Sequence, residues 1–426
     1  MTKDFPIGST AVHPAYSKVA DVFKANFDRG WEYEGAAFAA YVDGELVVDL
    51  WGGYADRRVG WTWKEDTMTT VFSCTKALSS ICLASLVERG LLSYYDTVSK
   101  YWPEFGREGK DKITVQHVLC HQAGIPYFRN ANGSLASLRI EDITDVARME
   151  QLVEEQKPQY TPGSRSAYHA LTFGWLLDGV FRRLEPQGRQ IGQYLKEEIA
   201  DKYNLDLFIG GTKSEEHRIA RIFPVTSCLT NMIRETVSSP YIAKVGCRKF
   251  IPCTTFTRAV NNYREICPDF DIFNNPDMRT FCMAAANGVG TARSLAKALD
   301  LFGSGQIVSN EFLQTIREPL IVDQMDGTIG DRISKGYGFI VLQGEWQIGH
   351  TGVGGQNVKT DPERRISFAY LSNGMKAGQG ERTGTMKRLE KALYECYQNM
   401  HHGMETINGN DGNGLSGKPE NENGKN

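Results

Sequence analysis

Apolar residues recur at helical spacing at Tyr16, Val19, Ala20, Phe23 and Phe27, which predicts an amphipathic helix over roughly residues 14 to 28. Two apolar runs follow, Gly35 to Val42 and Glu45 to Leu50, joined through Asp43-Gly44. That dipeptide suits the left-handed backbone of a two-residue hairpin, so the runs read as paired strands. Further on, an extended stretch, Thr69-Thr70-Val71-Phe72, gives way to a strongly apolar run, Cys74 to Arg89, stopped by Gly90. It predicts a buried helix with Ser73 at its entrance. Val115 to Cys120, Ser166 to Leu184, Ile191 to Lys202 and Thr291 to Phe302 carry the same helical period. Near the other end, Tyr337 to Leu342 and Trp346 to Gly349 flank Gln343-Gly344 as a second hairpin. Arg365 to Leu371 adds a strand, and Thr385 to Tyr397 reads as a closing helix.

Strands therefore gather at both ends of the chain and helices in its middle. The expected class is α+β, an α/β sandwich whose central antiparallel sheet is built from both chain ends and flanked by helices, with a mainly helical subdomain inserted between them. One domain is expected over 1–400, with its sheet part at about 12–65 and 290–400 and its helical part at about 66–289. The stretch from about 213 to 275 shows no clear period. Residues 403–426 are rich in Gly, Asn, Glu and Lys with few apolar positions, and are expected to be a disordered polar tail.

Composition narrows the picture. The 426 residues are 41% hydrophobic and 23% charged, with a formal net charge of −3, which argues against nucleic acid as a partner. No apolar stretch reaches the roughly 18 residues of a membrane span, and the first residues lack the apolar core of a secretory signal. Nine scattered cysteines without a C-x-x-C pair suit reduced, mostly buried thiols, and a cytoplasmic location is expected, with a mitochondrial one left open. The histidines show no metal-ligand spacing, so neither metal nor cofactor is expected.

The candidate chemistry begins at Ser73-Cys74-Thr75-Lys76. Residues i and i+3 share a helix face, so Lys76 can set its amine beside the Ser73 hydroxyl and act as the base that a serine nucleophile needs. Unpaired N–H groups at a helix start can also stabilise developing negative charge. The same spacing occurs at Ser294-Leu295-Ala296-Lys297, but inside an ordinary amphipathic helix. Pro162 to His169 is a turn that delivers Tyr168 just ahead of a predicted helix, where a phenol near a lysine ammonium can have a lowered pKa and relay protons. Ile348-Gly349-His350-Thr351-Gly352-Val353-Gly354-Gly355 follows a strand with a glycine-rich edge, which admits close approach of a substrate. The N–H just past Gly352, that of Val353, is placed to be an oxyanion donor.

Ser-x-x-Lys, a tyrosine motif and a His-Thr-Gly strand edge, in this order, resemble the β-lactamase-related serine hydrolases. That family includes class C β-lactamases, penicillin-binding DD-peptidases, family VIII carboxylesterases and metazoan β-lactamase-domain proteins. Val48 to Gly53, Ile113 to Pro126, Tyr168 to Trp175, Ala286 to Arg293 and Asp361 to Arg364 extend the resemblance over about residues 12 to 398. It implies Ser73 as the acylated nucleophile, Lys76 and Tyr168 as the proton-transfer pair, and the N–H groups of Ser73 and Val353 as the oxyanion hole. It also implies that His350, Thr351 and Gly352 line the substrate. His169 is either a lining residue or a buried hydrogen-bond donor, whereas His117 and His121 read as structural.

Two departures narrow the substrate. Ala170 stands where class C β-lactamases carry Asn, and His350 stands where they carry Lys. The first removes an amide that would hold a substrate amide group. The second replaces a fixed charge for a substrate carboxylate with one present only on protonated imidazole. The expected function is therefore a serine hydrolase forming an acyl-enzyme on small esters or, less favourably, amides. Weak β-lactamase or peptidase activity is one alternative. A non-enzymatic, self-assembling scaffold on the same fold is another, and a homo-oligomer fits either.

Overall fold

The structure is a computed structural model that describes residues 5–238, 242, 254–266, 270–342 and 344–410. Its main sheet is antiparallel and ten-stranded. Strands β1 (Ile7–Val12), β2 (Gly35–Val42) and β3 (Glu45–Asp56) come from the N-terminal part, with the short β4 (Trp61–Thr62) paired to β3. A separate three-stranded sheet holds β5 (Thr69–Thr70), β6 (Leu207–Phe208) and β7 (Val289–Gly290). The C-terminal part supplies β8 (Ile321–Met325), β9 (Arg332–Gly336), β10 (Phe339–Val341), β11 (Ile348–Thr351), β12 (Asn357–Asp361) and β13 (Ile366–Ser372). The order β1-β3-β2-β13-β12-β11-β10-β9-β8 places β2 against β13, so the two ends of the chain meet at the centre of the sheet.

Side-chain alternation explains why that centre is buried on both faces. In β2, Ala36, Phe38, Ala40 and Val42 face an outer layer formed by helix α1 (Ser17–Asp28) and the terminal helix Gly384–Asn410. Ala37, Ala39 and Tyr41 face the inner layer, where the helix Ala292–Gly303 and the apolar helix α2 (Thr75–Glu88) lie. The small inner residues let the helix Ala292–Gly303 come close; a Cβ at Gly303 would stand 2.1 Å from Thr360 Oγ1.

The expected α+β sandwich, with its sheet drawn from both ends, is what the structure contains. Several elements differ in detail. β1 begins at Ile7, ahead of the expected boundary near residue 12, and the inserted middle carries the small β5–β7–β6 sheet as well as helices. The helix expected from Ser166 starts only at Thr172. The intervening N–H groups are captured by other parts of the fold: Ala167 by the His121 carbonyl at 3.0 Å, Tyr168 by Asp326 at 3.0 Å and His169 by His121 Nδ1 at 3.2 Å. The run from Ile191 is α-helical only to Tyr194 and continues as a wider π-turn, Leu195–Ala200. The closing helix runs on to Asn410, past the point where the polar tail was expected to begin. Residues 411–426, with most of that tail, and Gln343 of the second hairpin lie outside the described residues.

Where β13 ends, Glu32 and Lys376 form an ion pair at 2.7 Å whose side chains are 1% and 0% exposed. Lys376 also donates to Ser372 Oγ and to the Gly374 carbonyl, and its own N–H bonds to the Gly354 carbonyl at 2.9 Å. The pair thus ties the sheet centre to the glycine turn that follows β11. Lys376→Met is expected to lower unfolding free energy by about 3–5 kcal/mol, because it leaves the Glu32 carboxylate buried without a counter-ion. Adding Glu32→Gln should recover most of that loss. Urea denaturation of the single and double variants measures both.

Candidate active site

Ser73 stands in a single 3₁₀ turn, Phe72–Cys74, that leads directly into α2. The turn is held from both sides. The Val71 N–H donates to the Gly288 carbonyl at 2.8 Å, the Gly288 N–H donates to Thr75 Oγ1 at 2.9 Å, and Thr75 Oγ1 donates to the Phe72 carbonyl at 2.5 Å. Phe72 adopts a left-handed backbone, φ 47°, a costly conformation for a bulky residue. Its ring is fixed edge-on by Phe270 and Phe273, with centroids 5.6 and 5.1 Å away. The backbone just before Ser73 is therefore held in a shape that an isolated chain would abandon.

Lys76 lies one turn along α2 and is fully buried. Its Nζ is 3.4 Å from Ser73 Oγ, 2.7 Å from the Ala170 carbonyl and 2.9 Å from the Ala285 carbonyl. Burial holds the amine well below the usual lysine range. A neutral amine has two N–H bonds and one lone pair. In the unprotonated form the two carbonyls accept both N–H bonds and the lone pair is left for the serine hydroxyl, whereas the ammonium donates to all three oxygens.

Lys76 Nζ lies 4.9 Å from the centre of the Tyr168 ring, and the phenol is near enough to Ser73 for the serine to act on its pKa. The expectation of a lowered phenol pKa is not met. Burial pushes the phenol up, with Ser73 a smaller opposing effect. The same burial pushes Lys76 toward its neutral form, which weakens the pull of an ammonium on the phenol.

β11 brings up the opposite wall. Gly352 must be glycine here, since a Cβ would stand 2.6 Å from the Val71 carbonyl. The Cys74 thiol donates to the His350 carbonyl at 3.3 Å, which fastens the strand edge to the nucleophile turn. Val353 packs into the cluster around Phe72. Ser73, Tyr168, Thr351 and Val353 all remain partly exposed along this seam.

His350 is 3% exposed and lies 2.7 Å through Nδ1 from the Thr351 carbonyl, which makes Nδ1 the protonated nitrogen. Burial, with the nearby Lys76, pushes its pKa down to about 3. It therefore offers no charge near neutrality, and the occasional imidazolium considered from sequence does not form there. His169 is also neutral, its pKa lowered to about 4 by burial. Its Nδ1 donates to the Ala167 carbonyl at 2.7 Å and its Nε2 accepts the Ile125 N–H at 3.0 Å, so neither ring nitrogen is left for a substrate. Of the two roles open to it, the structure gives the buried hydrogen-bonding one. His117 closes a capping box with Thr114 at the start of helix α3 (Val115–Leu119), and His121 packs against the Tyr168 ring at 4.6 Å.

The second Ser-x-x-Lys pair is structural. Ser294 Oγ accepts the Asp206 N–H at 2.9 Å, and Lys297 pairs with Asp300 at 2.9 Å. Sequence reasoning missed Asp326 and Lys335, a buried pair at 2.8 Å whose carboxylate holds the Tyr168 main chain. No motif marks them, because their role arises only when the β8–β9 hairpin folds against residues 166–168. Among the described residues no group of His, Cys, Asp and Glu side chains could hold a metal ion, and no helix is long and apolar enough to cross a membrane.

Comparison with known proteins agrees with this arrangement. The beta-lactamase family model matches residues 23–393. The esterase/beta-lactamase LipL of Mycobacterium tuberculosis is 31% identical over 377 residues, which cover 85% of this chain and 82% of the relative. The crystal structure of a family VIII carboxylesterase superposes with a TM-score of 0.78 at 29% identity, covering 92% of this chain and 100% of the other. A penicillin-binding protein homologue from Caulobacter crescentus does so at 0.75 and 29%, with the same coverage. With a serine, a buried lysine and a tyrosine gathered beside a glycine-edged strand, and a family match across most of its length, the chain belongs to the beta-lactamase family.

Proposed function

We propose that this protein is a serine hydrolase that cleaves small, uncharged esters through an acyl-enzyme at Ser73. The observation that carries the reading is the buried Lys76 amine, 3.4 Å from Ser73 Oγ and held by the Ala170 and Ala285 carbonyls, with burial pushing its pKa well below the usual lysine range. Lys76 takes the Ser73 proton as Oγ attacks the ester carbonyl, and the N–H groups of Ser73 and Val353 hold the resulting oxyanion. Collapse of the tetrahedral adduct breaks the bond to the alkoxide, which receives the proton through Tyr168. Water, deprotonated by the same pair, then attacks the acyl group and releases the acid. The sum is ester plus water to acid plus alcohol. Thr351 and Gly352 line the substrate along the strand edge.

Ester is preferred over β-lactam for an electrostatic reason. His350, its pKa pushed down to about 3, presents no cation to a substrate carboxylate near neutral pH, and burial disfavours the charged form of Lys76. The name of the carboxylesterase structure supports the same class, while that of LipL names both esterase and beta-lactamase.

With p-nitrophenyl butyrate as substrate, Ser73→Ala is expected to lower kcat about 10⁴-fold or more. Turnover equal to wild type would refute the assignment. Tyr168→Phe should keep KM and lower kcat by about 10² to 10⁴, the range for loss of a proton-transfer group. The pH profile of kcat/KM should rise with pH as Lys76 loses its proton, because the amine must be unprotonated to accept from Ser73. That acid limb should lie well below 10.5, the ordinary lysine value. A limb near the ordinary value would show that Lys76 is charged at rest.

A further inference from the structure

Tyr168 sits on a segment with no regular secondary structure of its own, between the turn at Gly163 and the helix that starts at Thr172. A phenol is a long lever, so a small rotation of its main chain displaces the hydroxyl by a larger distance. Whatever fixes residues 166–169 therefore sets the distance from the phenol to Ser73. Two devices do so. One is the pair His121 and His169, which bond this segment to itself and to the residues following α3. The other comes from the far side of the sheet. Asp326, 1% exposed, immediately follows β8, and its Oδ1 accepts the N–H groups of Tyr168 at 3.0 Å and of Thr328 and Ile329 at 2.9 Å each. Its Oδ2 accepts from Lys335 of β9 at 2.8 Å. Lys335 also donates to Ser166 Oγ at 3.0 Å, which in turn lies 3.0 Å from the Cys120 carbonyl. The Gly327 N–H closes the contact on the Ser166 carbonyl at 2.9 Å.

We propose that Asp326, held in place by Lys335, is the positioning residue for Tyr168: it grips the tyrosine's own N–H and so sets the phenol for proton transfer at Ser73. The inference rests on the reading of Ser73, Lys76 and Tyr168 as the reacting groups. A buried ion pair serving stability alone would have no need of the Tyr168 main chain. Here one carboxylate oxygen goes to N–H groups that include it, and the other goes to the lysine that compensates its charge. Asp326 does no chemistry in this scheme. It acts only through Tyr168, and that makes the claim separable from a general structural role.

The test is a double-mutant cycle on the full chain, read by steady-state turnover of p-nitrophenyl butyrate and by the rate at which a fluorophosphonate labels Ser73. Asp326→Ala should lower kcat about 100-fold, the scale of an ångström's misplacement, with KM little changed. Introduced into Tyr168→Phe it should cause almost no further loss. Losses that instead multiply in the double variant would overturn the proposal. Because Asp326→Ala leaves Lys335 buried without its partner, the combined Asp326→Asn and Lys335→Met variant removes both charges and keeps an oxygen acceptor for the Tyr168 N–H. That variant should retain kcat within a few-fold of wild type. A fall as deep as that of Tyr168→Phe would overturn the proposal even where Asp326→Ala fails to fold. Wild type that is neither labelled at Ser73 nor active would sink the functional reading itself and this inference with it. Labelled, active wild type with multiplicative losses would sink only the inference.

Discussion

The site depends on one buried nitrogen. A lysine amine with no access to water can stay in the interior only if its proton count matches the acceptors around it. At Lys76 Nζ those acceptors are Ser73 Oγ and the carbonyls of Ala170 and Ala285, the last two from segments far apart in the chain. Each is braced by its own local network. Asn287, itself fully buried, accepts the Met283 N–H and donates to the carbonyls of Met278 and Phe281, which shapes the stretch around Ala285. Thr172 Oγ1 donates to the Ile125 carbonyl at 2.7 Å just after Ala170. Three separate segments of the inserted helical region are thus brought into register at the atom where proton transfer is proposed to start.

In the proposed reading the same low-polarity setting bears on selectivity. Burial that disfavours the charged form of Lys76 also discharges His350. A cleft tuned in this way has less to offer an anionic substrate than one with a fixed ammonium on the strand edge. Activation of the nucleophile and indifference to substrate charge then have one physical origin.

Much of this was legible in the sequence, for identifiable reasons. The near-continuous apolar runs in Gly35 to Val42 and Ile366 to Ser372, and the apolar run after Ser73, are direct imprints of burial on all sides. β12 was not legible. Asn-Val-Lys-Thr-Asp reads as a polar loop, yet all five residues are buried, because Lys359 pairs with Glu390, Thr360 bonds Ser367 and Asp361 holds Arg364. The late start of the helix at Thr172 was equally hidden, since the groups that intercept the N–H bonds of residues 167–169 come from His121 and Asp326. Ser73, Lys76, Tyr168 and the 350–353 edge could be picked out by motif order. The protonation states of Lys76, Tyr168 and His350 could not, because these follow from enclosure that only the assembled fold provides.

The pairing of β2 with β13 has a consequence for how the protein is made. Seven residue pairs, from Ala36 with Ser372 to Val42 with Ile366, join segments separated by more than three hundred positions. Contacts of such long range form slowly, after the loop-closure entropy of everything between them has been met. On a ribosome, β2 and β3 emerge early and wait with an unpaired edge until β13 has been synthesised. The hairpin is exposed for that interval as an apolar strand edge, the kind of surface that invites association with other chains. The demand for protection during synthesis falls on the N-terminal hairpin, although the completed molecule hides it at the centre of its sheet.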